Sequence, residues 1–171
     1  MQIRREKRQR LIEAGVEPYP ISIGRTHTIN HIVTSHDAEA LGADHRTGTV
    51  VTIAGRVIFQ RNTGKLCFVR LREGDGSEIQ AMLSLAEVGE EALDNYKKLT
   101  DIGDHLAVTG EIITSRRGEL SVMASEWKLA AKTWRPLPNE YKPLSEEARA
   151  RMRYVDLIVR EKAREYVRAK A

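Results

Sequence analysis

Between Gly55 and Phe68 the chain gathers the guanidinium groups of Arg56 and Arg61, the amide of Gln60, the ammonium of Lys65 and the ring of Phe68. Residues of these types hold an unpaired nucleobase: a ring stacks on its flat face while amides and guanidinium groups bond its edge. Uracil presents two carbonyl acceptors flanking one N–H donor, so its reader needs donors, one acceptor and a flat surface. Phe68 offers the surface, Arg61 and Gln80 the donors, and Glu119 the acceptor. Stacking one base on an aromatic ring is worth about 1–3 kcal/mol, as much as a well-made polar contact.

These side chains need strands to aim them. Two strand-like runs flank Asn62-Thr63-Gly64, which suits a hairpin loop with Gly64 in the left-handed conformation. With Arg61 opposite Lys65, Phe59 faces Cys67 and Val57 faces Val69, so these residues and Leu71 share an inner face. The outer face then carries Arg56, Ile58, Gln60, Leu66, Phe68, Arg70 and Arg72, and a slip of one residue would bury the arginines. In this register Arg61 points inward and reaches a base only through local twist.

The rest of the chain supplies the frame. Residues 2–14 read as a helix with Ile3, Leu11 and Ala14 near one stripe and Gly15 as its stop. A weaker helix over about 28–40 has Thr28 as cap and Ile29, Ile32 and Val33 as apolar face. From Val50 the period becomes two. Strands are expected from Val51, over about 65–73 and 77–84, from Gly103, and from Glu119 to about 131, with a helix over 86–99 between the third and fourth. That order predicts an all-β core with flanking helices, a five-stranded OB-fold barrel. On its outer face Phe68, Gln80 and Glu119 fall by parity within three separate strands.

Three segments follow: 1–49, N-terminal and helical; 50–131, the barrel; and 132–171, a connector and helices. The connector Thr133-Trp134-Arg135-Pro136-Leu137-Pro138 is stiffened by its prolines, Ser145 caps a helix opened by Glu146 and Glu147, and a further helix starts near Arg160.

A net charge of +4 is modest, but basic residues crowd the first ten positions and the last quarter, as suits a polyanionic partner. Arg4, Arg5, Arg8, Arg56 and Arg70 are the candidates for phosphate contacts. One cysteine allows no intrachain disulfide, and no stretch resembles a signal peptide or membrane span, so a cytoplasmic protein without membrane contact is expected. The five histidines lack metal-like grouping. On these residues alone, a single-strand-binding OB protein without base preference and a protein–protein module remain open.

Gly55-Arg56-Val57, Gly64-Lys65 with Phe68, Ile79-Gln80, Gly103-Asp104, Gly118-Glu119-Leu120-Ser121, Arg135-Pro136-Leu137-Pro138 and Arg153-Tyr154-Val155-Asp156-Leu157 occur in the order seen in class II lysyl-tRNA synthetases. The resemblance covers nearly the whole chain. It implies an anticodon-binding domain in which Phe68 stacks on the central uridine of tRNA(Lys), Arg61 and Gln80 contact its edge, and Glu119 contributes to reading the anticodon. The wording from Gly55 to Met82 and from Ser115 to Val122 looks actinobacterial. It is similar to the synthetase half of a mycobacterial two-part protein whose other half is a membrane lysyl-phosphatidylglycerol synthase, which implies a membrane-attached parent if such a fusion is its source. The family's arginine for the ATP α-phosphate and its Gly-rich, Arg-ending segment do not follow Arg160. The expectation is therefore a non-enzymatic fragment without cofactor, from a homodimeric parent that uses ATP and Mg in an absent catalytic domain.

Overall fold

The two-residue period near Val50 closes into a barrel in the computed structural model, which describes residues 1–138 and 143–171. The chain forms two compact units, Met1–Trp134 and Arg135–Ala171. The first opens with α1 (Gln2–Glu13), α2 (Ile29–Ser35) and α3 (Ala38–Leu41). Next come β1 (Arg46–Asn62), β2 (Leu66–Arg72), β3 (Glu78–Ser84), α4 (Leu85–Val88), α5 (Glu90–Leu99), β4 (His105–Thr114) and β5 (Leu120–Ala131). The strands close in the order β1-β2-β3-β5-β4, antiparallel except for β3 beside β5. This is the expected OB arrangement, and closure leaves no free sheet edge.

Inward residues alternate as the sequence predicts over most of the sheet: Ile53, Leu71, Leu83, Leu106, Val108 and Val122 are fully buried. Helices plug the remaining gaps with Leu11 from α1, Ile29 and Ile32 from α2, and Leu93 and Tyr96 from α5. Each large apolar side chain so buried contributes about 1.5–3 kcal/mol. Two stripes are narrower than expected. Ile3 and Val33 are exposed, because the barrel touches only one turn-spaced line of each short helix.

The helix expected over 28–40 is two. Thr28 caps α2 by accepting from the His31 N–H, and Asp37 then caps α3. The helix over 86–99 is likewise split, at Gly89, whose positive φ of 82° ends α4 and opens α5. Gly64, also at positive φ, takes the left-handed place in the β1–β2 loop.

The connector begins later than 132. Lys132 is buried against Asp101 and Asp104, and the Thr133 N–H donates to Asp104, so residues 132–134 pack with the first unit. The second unit holds α6 (Glu146–Arg151), α7 (Arg153–Val159) and α8 (Glu161–Arg168). Ser145 caps α6 as predicted, and the helix expected from Arg160 starts at Glu161. Between them α7 carries the buried Asp156, held by Arg153 and Arg160.

Candidate nucleic-acid interface

The outer face of β1, β2 and β3 is set by one irregularity. Arg56 pairs with Arg72 and Val57 with Leu71, but the next pair is Phe59 with Arg70: Ile58 is an extra residue, a β-bulge. It lies where β1 changes neighbours. Through Arg56 the strand pairs with β4, whereas Val57 bonds the chain just ahead of β4, donating its N–H to the Asp104 carbonyl and accepting from the Gly103 N–H. Beyond that point β1 runs beside β2.

The bulge reverses parity for the rest of β1, so three expectations fail together. Phe59, expected inside, is 53% exposed. Gln60, expected outside, turns inward, where its Oε1 accepts from the Tyr96 hydroxyl at 3.1 Å. Arg61, expected to point inward and to face Lys65, lies outside and directly opposite Phe68. The three residues between the strands are accordingly Thr63–Lys65 rather than Asn62–Gly64, with Asn62 opposite Cys67. β2 and β3 pair without a bulge, and Phe68 and Gln80 lie outward as the sequence predicts.

The four candidate base readers meet on this face. The Arg61 guanidinium carbon stands 5.0 Å from the Phe68 ring centroid, a cation–π contact worth about 0.5–1 kcal/mol at an exposed site. Arg70, opposite Gln80 on β3, donates to Glu119 Oε1 at 2.6 Å. Gln80 in turn donates to the Ser121 hydroxyl at 3.0 Å, and that hydroxyl donates to the Glu119 carbonyl. Glu119 sits at the mouth of β5 in a turn fixed by Ser115, which accepts from the Glu119 and Arg117 N–H groups through its hydroxyl.

Ser121 therefore dictates how Gln80 presents itself. Its single proton is committed to the Glu119 carbonyl, so towards Gln80 it acts as acceptor and fixes the amide nitrogen on its own side. The Gln80 carbonyl and one remaining N–H then form an acceptor–donor pair. Composition points to Gln80, but only the parallel pairing of β3 with β5 puts Ser121 beside it.

The proposed phosphate-contacting residues divide. Arg70 is exposed on the interface. Arg56 is half-buried and donates to the Gly103 carbonyl, with burial lowering its pKa. Arg4, on α1, donates to the carbonyls of Ile102 and Thr133 and lies 3.9 Å from Asp104. Arg5 and Arg8 lie over the Trp134 ring, at 5.3 and 5.5 Å. The α1 arginines thus lie away from the Phe68 face and largely serve the fold. Among the described residues, no group of three His, Cys, Asp or Glu is placed to hold a metal. No helix among them is long and apolar enough to cross a membrane.

The comparisons with known proteins agree with this geometry. A family described as the OB-fold nucleic acid binding domain matches residues 51–130, the barrel itself. Over 166 residues, 97% of the chain and 33% of the relative, the chain is 53% identical to a lysine–tRNA ligase of Mycolicibacterium gilvum. Over nearly its whole length the chain is similar to lysine–tRNA ligases, and its barrel to the OB-fold nucleic acid binding family. A lysine–tRNA ligase of Kineococcus radiotolerans is 50% identical over all of the chain and 34% of its own length. A lysylphosphatidylglycerol biosynthesis bifunctional protein of Rhodococcus opacus is 36% identical over the whole chain and 14% of its own length. The sequence thus stands nearer to these ligases than to that two-part protein. It spans about a third of the length of the ligases it matches.

Proposed function

We propose that this chain is the anticodon-binding part of a lysine–tRNA ligase and that the β1–β2–β3 face reads the central uridine of tRNA(Lys). The observation that carries this reading is the convergence of Phe68, Arg61, Gln80 and Glu119 on one face of an OB barrel. The uracil ring stacks on Phe68. Arg61 now lies over that ring, and 5.0 Å leaves no room for a base between them, since each contact needs about 3.5 Å. The guanidinium therefore swings to the edge of the base as the base arrives. Losing a cation–π contact of about 0.5–1 kcal/mol is outweighed by a stack of about 1–3 kcal/mol.

The acceptor–donor pair of Gln80 matches the N3–H and one carbonyl of uracil, leaving the other carbonyl to Arg61. Cytosine has an acceptor at N3 where uracil has a donor, so the bond to the Gln80 carbonyl would set acceptor against acceptor. Unmet buried polar groups of this kind cost about 1–3 kcal/mol. Glu119, held by Arg70, accepts from a neighbouring base. Phosphate contacts by Arg70 and other basic residues supply affinity without sequence preference.

By this reading the chain binds without catalysing and needs no cofactor. Attachment of lysine, with its ATP and Mg, belongs to a catalytic domain of a cytoplasmic, homodimeric parent. The test is binding of a lysine anticodon stem-loop against the same loop with cytidine at the middle position. A tenfold or greater loss is expected for the cytidine loop, and a comparable loss for the native loop with Phe68→Ala at unchanged melting temperature. Equal affinity for the two loops would sink the base-reading function and favour a single-strand binder without base identity.

A further inference from the structure

The bulge at Ile58 does more than expose Arg61. It brings Phe59 to the same outer face, so that both phenylalanines of the chain lie there. Phe59 is opposite Arg70, and Arg61 is opposite Phe68, so the two rings are diagonal neighbours on adjacent strands. Such positions lie about 7–8 Å apart, a step that successive unstacked nucleotides of one strand span. A ring more than half exposed on a sheet face has no reason of stability to be there. An alternating strand would have buried it, and the Gln60–Tyr96 hydrogen bond holds the register that keeps it out.

We propose that Phe59 is a second stacking platform, taking the base of a nucleotide adjacent to the one on Phe68. The inference rests on the anticodon-binding reading of this face. The occupant is a nucleobase because the ring is flanked by guanidinium groups: Arg61 follows it by two residues on β1, and Arg70 lies across from it. A flat apolar surface between exposed cations suits a flat, polyanion-borne ring. Directly across the ladder Phe59 faces Arg70, which holds Glu119, so discrimination at this nucleotide falls to Glu119.

The test uses the 171-residue chain with anticodon stem-loops that are intact or abasic at either position flanking the central uridine, read by fluorescence anisotropy. Phe59→Ala should weaken binding of the intact loop at least about fivefold with an unchanged melting temperature, while Phe59→Tyr binds like the parent. One of the two abasic loops should bind the parent more weakly by a similar factor and show no further loss with Phe59→Ala. Phe68→Ala should weaken every loop. If Phe59→Ala binds the intact loop as the parent does while Phe68→Ala does not, the second platform falls and the anticodon reading stands. Should neither variant change binding, both fall together. A Phe59→Ala effect of equal size on both abasic loops overturns the assignment to an adjacent base, whatever that variant does to stability.

Discussion

Two regions of the first unit set arginine or lysine beside carboxylate, and they use the pairing in opposite ways. At the seam where α1 meets the barrel, the Lys132 ammonium is 2.6 Å from both Asp101 and Asp104 and also donates to the Leu99 carbonyl. Lys7 joins Asp101 from α1. Asp104 has no exposed surface, and its other bonds come from the backbone N–H groups of Asp101 and Thr133. Every charge is committed inside the protein. On the β1–β2–β3 face, Arg70 and Glu119 hold each other by one hydrogen bond with both side chains nearly half exposed, and Arg61 rests on an aromatic ring. These contacts are weak enough to be exchanged for a ligand. Burial and the number of partners separate the charged groups that build the molecule from those left exposed, a distinction that composition cannot make.

The largest effect is expected at the seam. Asp104→Ala leaves Lys132 buried with fewer counter-charges and two N–H groups without an acceptor, which should cost about 3–5 kcal/mol in urea unfolding. A loss under about 1 kcal/mol would show that the cluster does not hold the fold.

A smaller effect is expected from pH. Burial, with the nearby charge of Arg56, lowers the pKa of His105 from 6.5 to about 4. The unfolded chain therefore takes up a proton that the folded chain refuses between these values. The stability this histidine contributes is complete above pH 6.5 and declines as pH falls towards 4. Allowing for partial solvent screening, the decline amounts to about 1–2 kcal/mol, and His105→Leu should flatten it in melting curves. Asp101 behaves alike in a lower window. Burial opposes its ionisation, but hydrogen bonds from Lys132 and Lys7 prevail and lower its pKa, so its contribution is lost only as pH falls below the ordinary aspartate value of 3.8.

The smallest effect on folding belongs to the interface. Arg70→Ala should change stability by no more than about 1 kcal/mol, because an exposed ion pair contributes little. It should nevertheless weaken binding alike for loops that differ only at the central position and reduce the slope of log affinity against log salt by about one. A strong melting shift without a change in salt slope would place Arg70 with the seam instead.

Much of the architecture was legible because it depends on neighbours in the chain. Strand alternation exposes Phe68 and Gln80 and buries Leu71 and Val122; Thr28 and Ser145 cap helices through N–H groups three residues on; Gly64 takes the loop conformation that others resist. The exception is β1 beyond Val57. Nothing in Val57-Ile58-Phe59-Gln60 distinguishes a bulge from a regular strand, since either face can be filled by an apolar residue.

Period, turn and cap are local properties, and through them the sequence alone set the barrel, the order of its elements along the chain and the outward place of Phe68. Only the tertiary structure decided which way Phe59, Gln60 and Arg61 point, and that Ser121 orients Gln80. Those outcomes depend on β1 passing from β4 to β2 and on β3 lying parallel to β5, contacts between residues distant in the chain.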